Sequence, residues 1–409
     1  MPALRTVLLA AVVALSFFSG ADSPSLDSGE IVIAHVNVIP MDSERVMPDQ
    51  MVTVRDGIIT RIAPSSDGFP ADGRAVVDAR GLYMIPGLMD MHIHLARTSD
   101  LRLYLNHGVT TVRNMWGFQG LPAIMAGIER GEMAGPRIYS ASPGFDSKDP
   151  GWPGPIIVTD PKAVPQLVAA QVAAGWSYIK VYQNLRLDVY DAILASARTQ
   201  GIRVVGHVSN NVDVRHALAS GQISIEHLSG YDRFLSRSNR TGTGTFLKLD
   251  PGLVSEAVND TVNAGSWNCP TMSVLQVLAN QNLSSGDRQT EMENRRRFVA
   301  ALYRAGGHIL AGTDSGIDLT APGSSIDDEL DQLVGAGLTP FEALTTATRD
   351  AAVFLQDSTI GTIAEGKRAD LVLLRGNPLT DIKAVRSISG VMAGGIWQVS
   401  PVRRRPAHR

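Results

Sequence analysis

The apolar positions of this chain fall into two textures. Near the start, short runs of alternating apolar and polar residues cover Ile31 to Ile39, Met51 to Arg55, Ile58 to Ile62 and Ala75 to Asp78. Side chains two apart in extended backbone share a face, so each run predicts a half-buried strand. The turn pairs Asp56-Gly57 and Asp72-Gly73 between them predict reversals of an antiparallel sheet. The end of the chain looks alike: Asp370 to Leu374 and Ser389 to Met392 are strand-like, punctuated by Gly361, Gly366, Gly376-Asn377-Pro378 and Gly394-Gly395. The two ends are therefore expected to pair into one small β-sandwich module, residues 28–84 plus 355–400.

Between them, residues 85–354 repeat a short apolar strand followed by a helical segment, the pattern of a parallel α/β fold. Eight strands are predicted: Met84 to His94, Val109 to Asn114, Arg137 to Ser142, Tyr178 to Tyr182, Val204 to Ser209, Ser224 to Leu228, Asn268 to Ser273 and His308 to Asp314. Helical segments include Lys162 to Ala174, Val189 to Gln200, Val212 to Ala219, Arg295 to Ala305 and Pro340 to Thr348. Eight such units favour a closed (β/α)8, TIM-like barrel over an open sheet, and barrels of that type carry their chemistry at the carboxyl ends of the strands.

Composition narrows the function. A chain of 409 residues with 44% hydrophobic and 19% charged residues is ordinary globular protein. A net charge of −3 supplies none of the concentrated basic surface that phosphate backbones need, so nucleic acid is not an expected partner. The run Arg403-Arg404-Arg405 in the tail, 401–409, reads as a solvated end. Arg5, the apolar stretch Val7 to Phe18 and the small residues Ser19, Gly20 and Ala21 predict a secretory signal over residues 1–21, cleaved after Ala21 and followed by a Ser/Asp/Gly-rich linker at 22–29. The stretch is shorter than the roughly 20 apolar residues of a membrane span. The mature protein is thus expected to be exported, periplasmic or secreted, with no stable span; a homo-oligomer is left open. Cys269 is the only cysteine, which rules out an intramolecular disulfide.

Metal-competent side chains collect where barrel chemistry belongs. His92 and His94, in Asp90-Met91-His92-Ile93-His94, end the first predicted strand and point to one side. His207 ends the fifth, His227 the sixth and Asp314 the eighth. The remaining histidines, His35, His107, His216, His308 and His408, lie in the β module, in helices, at a strand start or in the tail, and read as structural. Lys180 ends the fourth strand. Its ammonium cannot ligate a cation, whereas its carbamate, formed with carbon dioxide, is an oxygen donor able to bridge two. A lysine paired with a buried carboxylate and a Schiff-base lysine are the other readings; the surrounding histidines and aspartate favour the carbamate.

These motifs resemble the amidohydrolase superfamily, and specifically its binuclear members with a carboxylated lysine. The matching segments are Pro86-Gly87-Leu88-Met89-Asp90-Met91-His92-Ile93-His94, Ile179-Lys180-Val181-Tyr182, Gly206-His207-Val208, Ile225-Glu226-His227, Ala311-Gly312-Thr313-Asp314 and Gly366-Lys367-Arg368-Ala369-Asp370-Leu371-Val372-Leu373. Gly108-Val109-Thr110-Thr111-Val112-Arg113 and the lysine segment are most similar to the imidazolonepropionase-like and prolidase-like branch, which includes Xaa-Pro dipeptidases and ochratoxinase-like amide hydrolases. The resemblance implies two divalent metal ions, of which His92, His94 and Asp314 hold the more buried, His207 and His227 the more exposed, with carbamylated Lys180 bridging. Two cations sharing a water lower its pKa enough to supply hydroxide near neutral pH. It further implies that Asp314 carries the proton to the leaving amine. Tyr182 either donates a hydrogen bond to the developing oxyanion or is a packing aromatic. Imidazole and carboxylate donors suit zinc best, with manganese or cobalt as alternatives.

Trp116, Phe145, Trp152, Tyr231 and Arg233 fall on loops at the expected barrel mouth and are candidate substrate contacts, Arg233 for a terminal carboxylate. Loop packing is the competing reading for each. The expected reaction is hydrolysis of an amide or peptide bond in a small substrate, a dipeptide or N-acyl amino acid. Alternatives are a lactone, carbamate, aryl-urea or cyclic-amide substrate, a Schiff-base lyase working through unmodified Lys180, and a non-catalytic exported binding protein.

Overall fold

A computed structural model describes residues 29–67, 75–238 and 240–399. The expected signal and its cleavage point, most of the linker, the Asp72-Gly73 turn and the basic tail lie outside the described residues. Among the described residues no helix is long and apolar enough to cross a membrane.

The first five strands are β1 (Ile31–Val38), β2 (Met47–Arg55), β3 (Ile58–Pro64), β4 (Ala75–Asp78) and β5 (Tyr83–Pro86). The α/β region follows with β6 (Leu88–Ile93), β7 (Val109–Asn114), β8 (Arg137–Ser140), β9 (Phe145–Asp146), β10 (Ile156–Ile157), β11 (Tyr178–Val181), β12 (Arg203–Gly206), β13 (Ser224–Glu226), β14 (Trp267–Cys269) and β15 (His308–Ile309). Then come β16 (Leu371–Leu374), β17 (Ile388–Ala393) and β18 (Ile396–Val399).

Strands from the two ends of the chain share one eight-stranded sheet, ordered β18-β17-β16-β5-β1-β2-β3 with β4 paired to β1. The junction is antiparallel, Leu371 opposite Pro86 and Leu374 opposite Tyr83. Its alternating apolar residues make a common core in which Ile33, Val36, Val52 and Met84 pack with Leu371, Leu373 and Met392. Burying such aliphatic side chains contributes about 1.5–3 kcal/mol each, so the late segment is held by the early one through apolar contact as well as ladder bonds.

The strand expected from Met84 to His94 is two strands. Pro86 has no N–H to continue a ladder, and a Cβ on Gly87 would fall 2.0 Å from Thr110 Oγ1, so the chain changes partners at this pair. Tyr83–Pro86 stays in the composite sheet, while Leu88–Ile93 pairs with β7. Both halves are buried and apolar, which is why periodicity alone joined them.

Within the α/β region β6, β7 and β8 form one parallel sheet, and β10-β9-β11-β12-β13-β14-β15 form another. Parallel bridges join the two at both margins, Ala141 with Tyr178 and Ile93 with Ser315. The second margin is reinforced by Met91 N–H on the Ala311 carbonyl at 2.9 Å and His94 N–H on the Ser315 carbonyl at 2.7 Å. Strands end earlier than the apolar runs suggested. The backbone turns left-handed at His227 (φ 60°), Leu228 (57°), Thr271 (49°) and Asp314 (56°), which breaks the ladder and swings these side chains inward. The strand expected to reach Ser273 yields instead to a helix, Met272–Asn282. Its first N–H groups, at Met272 and Ser273, donate to the buried Glu329 carboxylate at 3.0 and 2.7 Å, a cap supplied from a distant helix.

The helix expected from Arg295 already begins at Ser285 and runs to Arg304. Ser284 caps it by accepting the Asp287 N–H at 3.2 Å, and the buried pair Glu291 and Arg295 braces its middle at 2.7 Å. Neither feature contributes to apolar periodicity.

Gly206 closes β12 with φ 132°, and a Cβ there would stand 2.2 Å from the Val181 carbonyl of β11 and 3.0 Å from Lys180 Cδ. Gly206→Ala is expected to destabilise the fold by about 1–3 kcal/mol through overpacking and by a further 1–3 kcal/mol, roughly, through backbone strain. Urea midpoints of the two proteins measure it; an unchanged midpoint would show that β11 and β12 are not held this closely.

Candidate metal centre and its cavity

The turns at the strand ends bring the predicted ligands together. His92 and His94 leave the end of β6 with ring centroids 5.4 Å apart. The chain beyond β15 returns beside them: the Asp314 N–H donates to the His92 carbonyl at 2.7 Å, and Asp314 Oδ1 lies 3.3 Å from His92 Nε2 and 3.0 Å from His94 Nε2. Ligand atoms of these three residues lie within 4.8 Å of one another. His207 and His227 follow β12 and β13 with ring centroids 4.7 Å apart, and His227 is 4.5 Å from His92. Lys180, in β11, is wholly buried, with Nζ 6.0 Å from the Tyr182 ring centroid.

What marks this cluster is a set of orphaned polar atoms. His92 Nε2, His94 Nδ1, Lys180 Nζ, His207 Nδ1 and Asp314 Oδ1 are all buried without a hydrogen-bond partner. Buried polar atoms in folded proteins are nearly always paired, and five orphans in one place define a site shaped for something that accepts lone pairs.

Protonation agrees with that shape. Burial, then the positive potential of His227 and Lys180, pushes His92 well below the ordinary histidine range. Burial and Lys180 do the same to His207, and burial lowers His227, so these imidazoles are neutral and keep lone pairs for a ligand. Burial brings the Lys180 ammonium down to about 8. Burial alone would raise Asp314, yet His227, His94 and Lys180 together hold its carboxyl at about 2.

A second layer orients the first. His92 Nδ1 is 2.7 Å from Glu226 Oε2, which leaves Nε2 aimed at the cluster. Glu226 also accepts Arg113 Nη2 on both oxygens at 3.0 Å and the Ser224 hydroxyl, and Arg113 Nη1 donates to Ser224 Oγ at 3.1 Å. His227 Nδ1 lies 2.7 Å from Thr271 Oγ1. Asp90 ties β6 to the Asp314 segment by accepting Thr313 Oγ1–H at 2.6 Å and Thr313 N–H at 3.0 Å. None of these residues was singled out from the sequence, although Glu226 and Asp90 stand inside the quoted motifs; a carboxylate adjoining a ligand histidine was the signal that could have found them.

A cavity of about 240 Å³ opens on the cluster through His94, His207, His227 and Asp314. Of the aromatic candidates, Trp152 and Tyr182 line it, 5.6 Å from the His94 ring and 4.5 Å from the His207 ring. Trp116 packs behind them, 5.1 Å from Tyr182 and 6.5 Å from Trp152. The other three are turned away from it. Phe145 is buried in the main core. Tyr231 opens a short helix, Tyr231–Ser236, and is buried, its hydroxyl 2.6 Å from Thr261 Oγ1. The Arg233 guanidinium donates to the carbonyls of Asn210, Ser209 and Val212, the last two at 2.8 Å, so it braces a loop rather than presenting a charge. The basic side chain in the cavity wall is Arg295, which the sequence pattern marked only as a helix start. The structural reading of the other described histidines is consistent with their neighbours: His35 meets Asp49 at 2.7 Å, His216 meets Asp191 at 2.6 Å, His107 stands 3.7 Å from Asp327, and His308 stacks on Trp267 at 4.4 Å.

Comparison with known proteins follows the same line. The amidohydrolase family model matches residues 83–397. Ochratoxinase of Aspergillus niger is 25% identical over 453 residues, covering 91% of this chain and 87% of that protein. An adenine deaminase of Desulforamulus reducens is 23% identical over 372 residues, covering 87% of this chain but only 56% of the deaminase. Among solved structures, a Xaa-Pro dipeptidase with bound methionine in its active site superposes with a TM-score of 0.73 at 22% identity, covering 90% of this chain and 99% of the dipeptidase. The ochratoxinase and dipeptidase likenesses match the prolidase-like branch expected from the motifs. With a family match across most of its length and metal-competent residues gathered at its strand ends, the chain belongs to the amidohydrolase family.

Proposed function

We propose that this protein is a two-metal hydrolase that cuts the amide bond of a small substrate, a dipeptide or an N-acyl amino acid. The observation that carries this reading is the group of five buried, unpartnered polar atoms on His92, His94, Lys180, His207 and Asp314. Their donors fit divalent cations: His92, His94 and Asp314 would hold one, His207 and His227 the other, and a carbamate on Lys180 would stand between them. Zinc suits the imidazole and carboxylate donors best. Bound there, the metal pair would supply hydroxide near neutral pH and polarise the scissile carbonyl.

The chain's own residues do the rest. Burial that lowers the Lys180 pKa to about 8 gives it a much larger unprotonated fraction near neutral pH than an ordinary lysine has, and it is the neutral amine that adds carbon dioxide. Asp314, kept ionised by His227, His94 and Lys180, would take a proton from the attacking water and deliver it to the departing nitrogen. Tyr182, at the cavity wall beside His207, is placed to donate its hydroxyl to the oxyanion. The C–N bond breaks, water contributes OH to the acyl carbon and H to the nitrogen, and an acid and an amine leave.

The two bridged margins of the parallel sheets support a closed barrel over residues 85–354, and the composite sheet supports a sandwich-like module from 28–84 and 355–400. Export to the periplasm or medium, read from the expected signal over residues 1–21, completes the proposal.

A screen of the zinc-loaded protein against dipeptides, N-acyl amino acids and matched esters, lactones, carbamates and ureas tests it. Amide hydrolysis that a chelator abolishes and zinc restores is the expected result. Turnover indifferent to chelator, with borohydride trapping of a carbonyl substrate on Lys180, would replace the proposal with Schiff-base chemistry.

A further inference from the structure

Two charged side chains, Arg295 and Asp232, stand in the wall of the cavity that opens on the ligand cluster. Their charges are disposed differently. Arg295 Nε and Nη2 donate to Glu291 Oε1 at 3.0 and 2.7 Å, Nη2 also donates to the Gly242 carbonyl at 3.1 Å, and the guanidinium lies 4.2 Å from the Phe246 ring centroid. Glu291 is buried too, so the cation is neutralised within the wall. An anionic substrate group would find no net positive charge there.

Asp232 has no such partner. It is 6% exposed and forms no ion pair among the described residues; one oxygen accepts the Arg233 N–H at 2.8 Å and the other the Gly242 N–H at 3.1 Å. The neighbouring Arg233 guanidinium, which could have neutralised it, is bound to loop carbonyls instead. Each carboxylate oxygen can accept two hydrogen bonds, so both retain an open acceptor position. Burial raises the Asp232 carboxyl more than its two backbone bonds and the more distant arginines offset. A buried, unpaired carboxylate is costly to the fold, and a cation delivered into the cavity relieves that cost. Val208, Val274, Leu275 and Leu278 line the same cavity and suit an apolar chain.

We infer that Asp232 is a specificity-determining residue that receives a protonated amine of the substrate, so that preferred substrates carry an alkyl-ammonium group joined by an apolar spacer to the carbonyl being cut. The inference rests on the metal-hydrolase reading and adds which amides that centre takes. A lysine-like side chain or an aminoacyl group meets the description; a second carboxylate at the same place is repelled.

Hydroxamic acids of equal chain length ending in an ammonium, a methyl or a carboxylate, prepared over a series of lengths, provide the test without turnover. Their hydroxamate end is a metal chelator and anchors at the ligand cluster of the zinc-loaded protein, leaving the tail to explore the wall. Titration calorimetry is expected to show the best ammonium-tailed compound binding about tenfold or more tightly than its methyl-tailed match, with the carboxylate-tailed one weakest. Asp232→Asn should bring the ammonium-to-methyl ratio to about one. Tight binding of all three with no preference for the ammonium, or a preference that survives Asp232→Asn, overturns the inference and leaves the hydrolase reading standing. Binding of none overturns the metal reading and the inference with it. Should the variant fail to fold, the comparison of the three tails on the unaltered protein decides.

Discussion

If a carbamate on Lys180 holds the metal pair as proposed, replacing Lys180 by alanine is expected to lower turnover of the best amide substrate about a thousandfold or more, because a metal's stabilisation of developing charge is worth several kcal/mol at about 1.4 kcal/mol per factor of ten. The Lys180 Nζ is buried and makes no hydrogen bond among the described residues, so the substitution breaks none. Metal content should fall with activity, and the apparent zinc affinity of the unaltered protein should rise when bicarbonate is supplied during reconstitution. Measuring kcat/KM and bound zinc on the same preparations separates the readings. Full turnover in Lys180→Ala would remove the two-metal proposal, and lost turnover with undiminished zinc would point to the free amine instead.

The second large effect is expected at Glu226, which is completely buried behind His92. Glu226→Gln keeps the shape but removes the charge that faces Arg113, and both residues are completely buried. Breaking a buried pair leaves an uncompensated guanidinium, at a cost of about 3–5 kcal/mol. His92 Nδ1 would lose a carboxylate acceptor as well, and removing such an outer partner lowers metal affinity about 10–100-fold. Denaturant midpoints of metal-free protein report the first effect and zinc titrations the second. A role confined to stability would lower the midpoint and leave zinc affinity unchanged, which would exclude an orienting role for Glu226.

Much of the ligand set was legible in the chain because barrel chemistry has a local address. His92, His94, Lys180, His207, His227 and Asp314 each end an apolar run, where barrel chemistry is expected, and alternation along β6 puts His92 and His94 on one side; the inward turn of His227 and Asp314 is set by their left-handed backbone instead. The aromatic and basic candidates were harder to read. Trp152 and Tyr182 reach the cavity while Phe145, Tyr231 and Arg233 do not: Phe145 lies in β9 and the other two in a helix, Tyr231–Ser236, so what those elements pack against sets their direction. Tyr231 turned inward because Thr261, 30 positions later, offers its hydroxyl a partner. Arg233 turned aside because three carbonyls of the preceding loop accept its guanidinium N–H groups.

The same division holds for the fold. Periodicity in the sequence determined two strand-rich ends around a parallel α/β middle, because alternation and apolar runs are short-range properties of the chain. Only the tertiary structure decided that Pro86 and Gly87 divide one apolar run between two sheets, that Glu329 starts the Met272 helix, and that Glu226 and Arg113 stand behind His92. It also decided that Asp232 is left without a cation while Arg295 is matched to a carboxylate. Each of these depends on groups brought together from distant positions by burial, where an unpaired charge or an unmatched N–H is costly; nothing in the local pattern records who the partner will be.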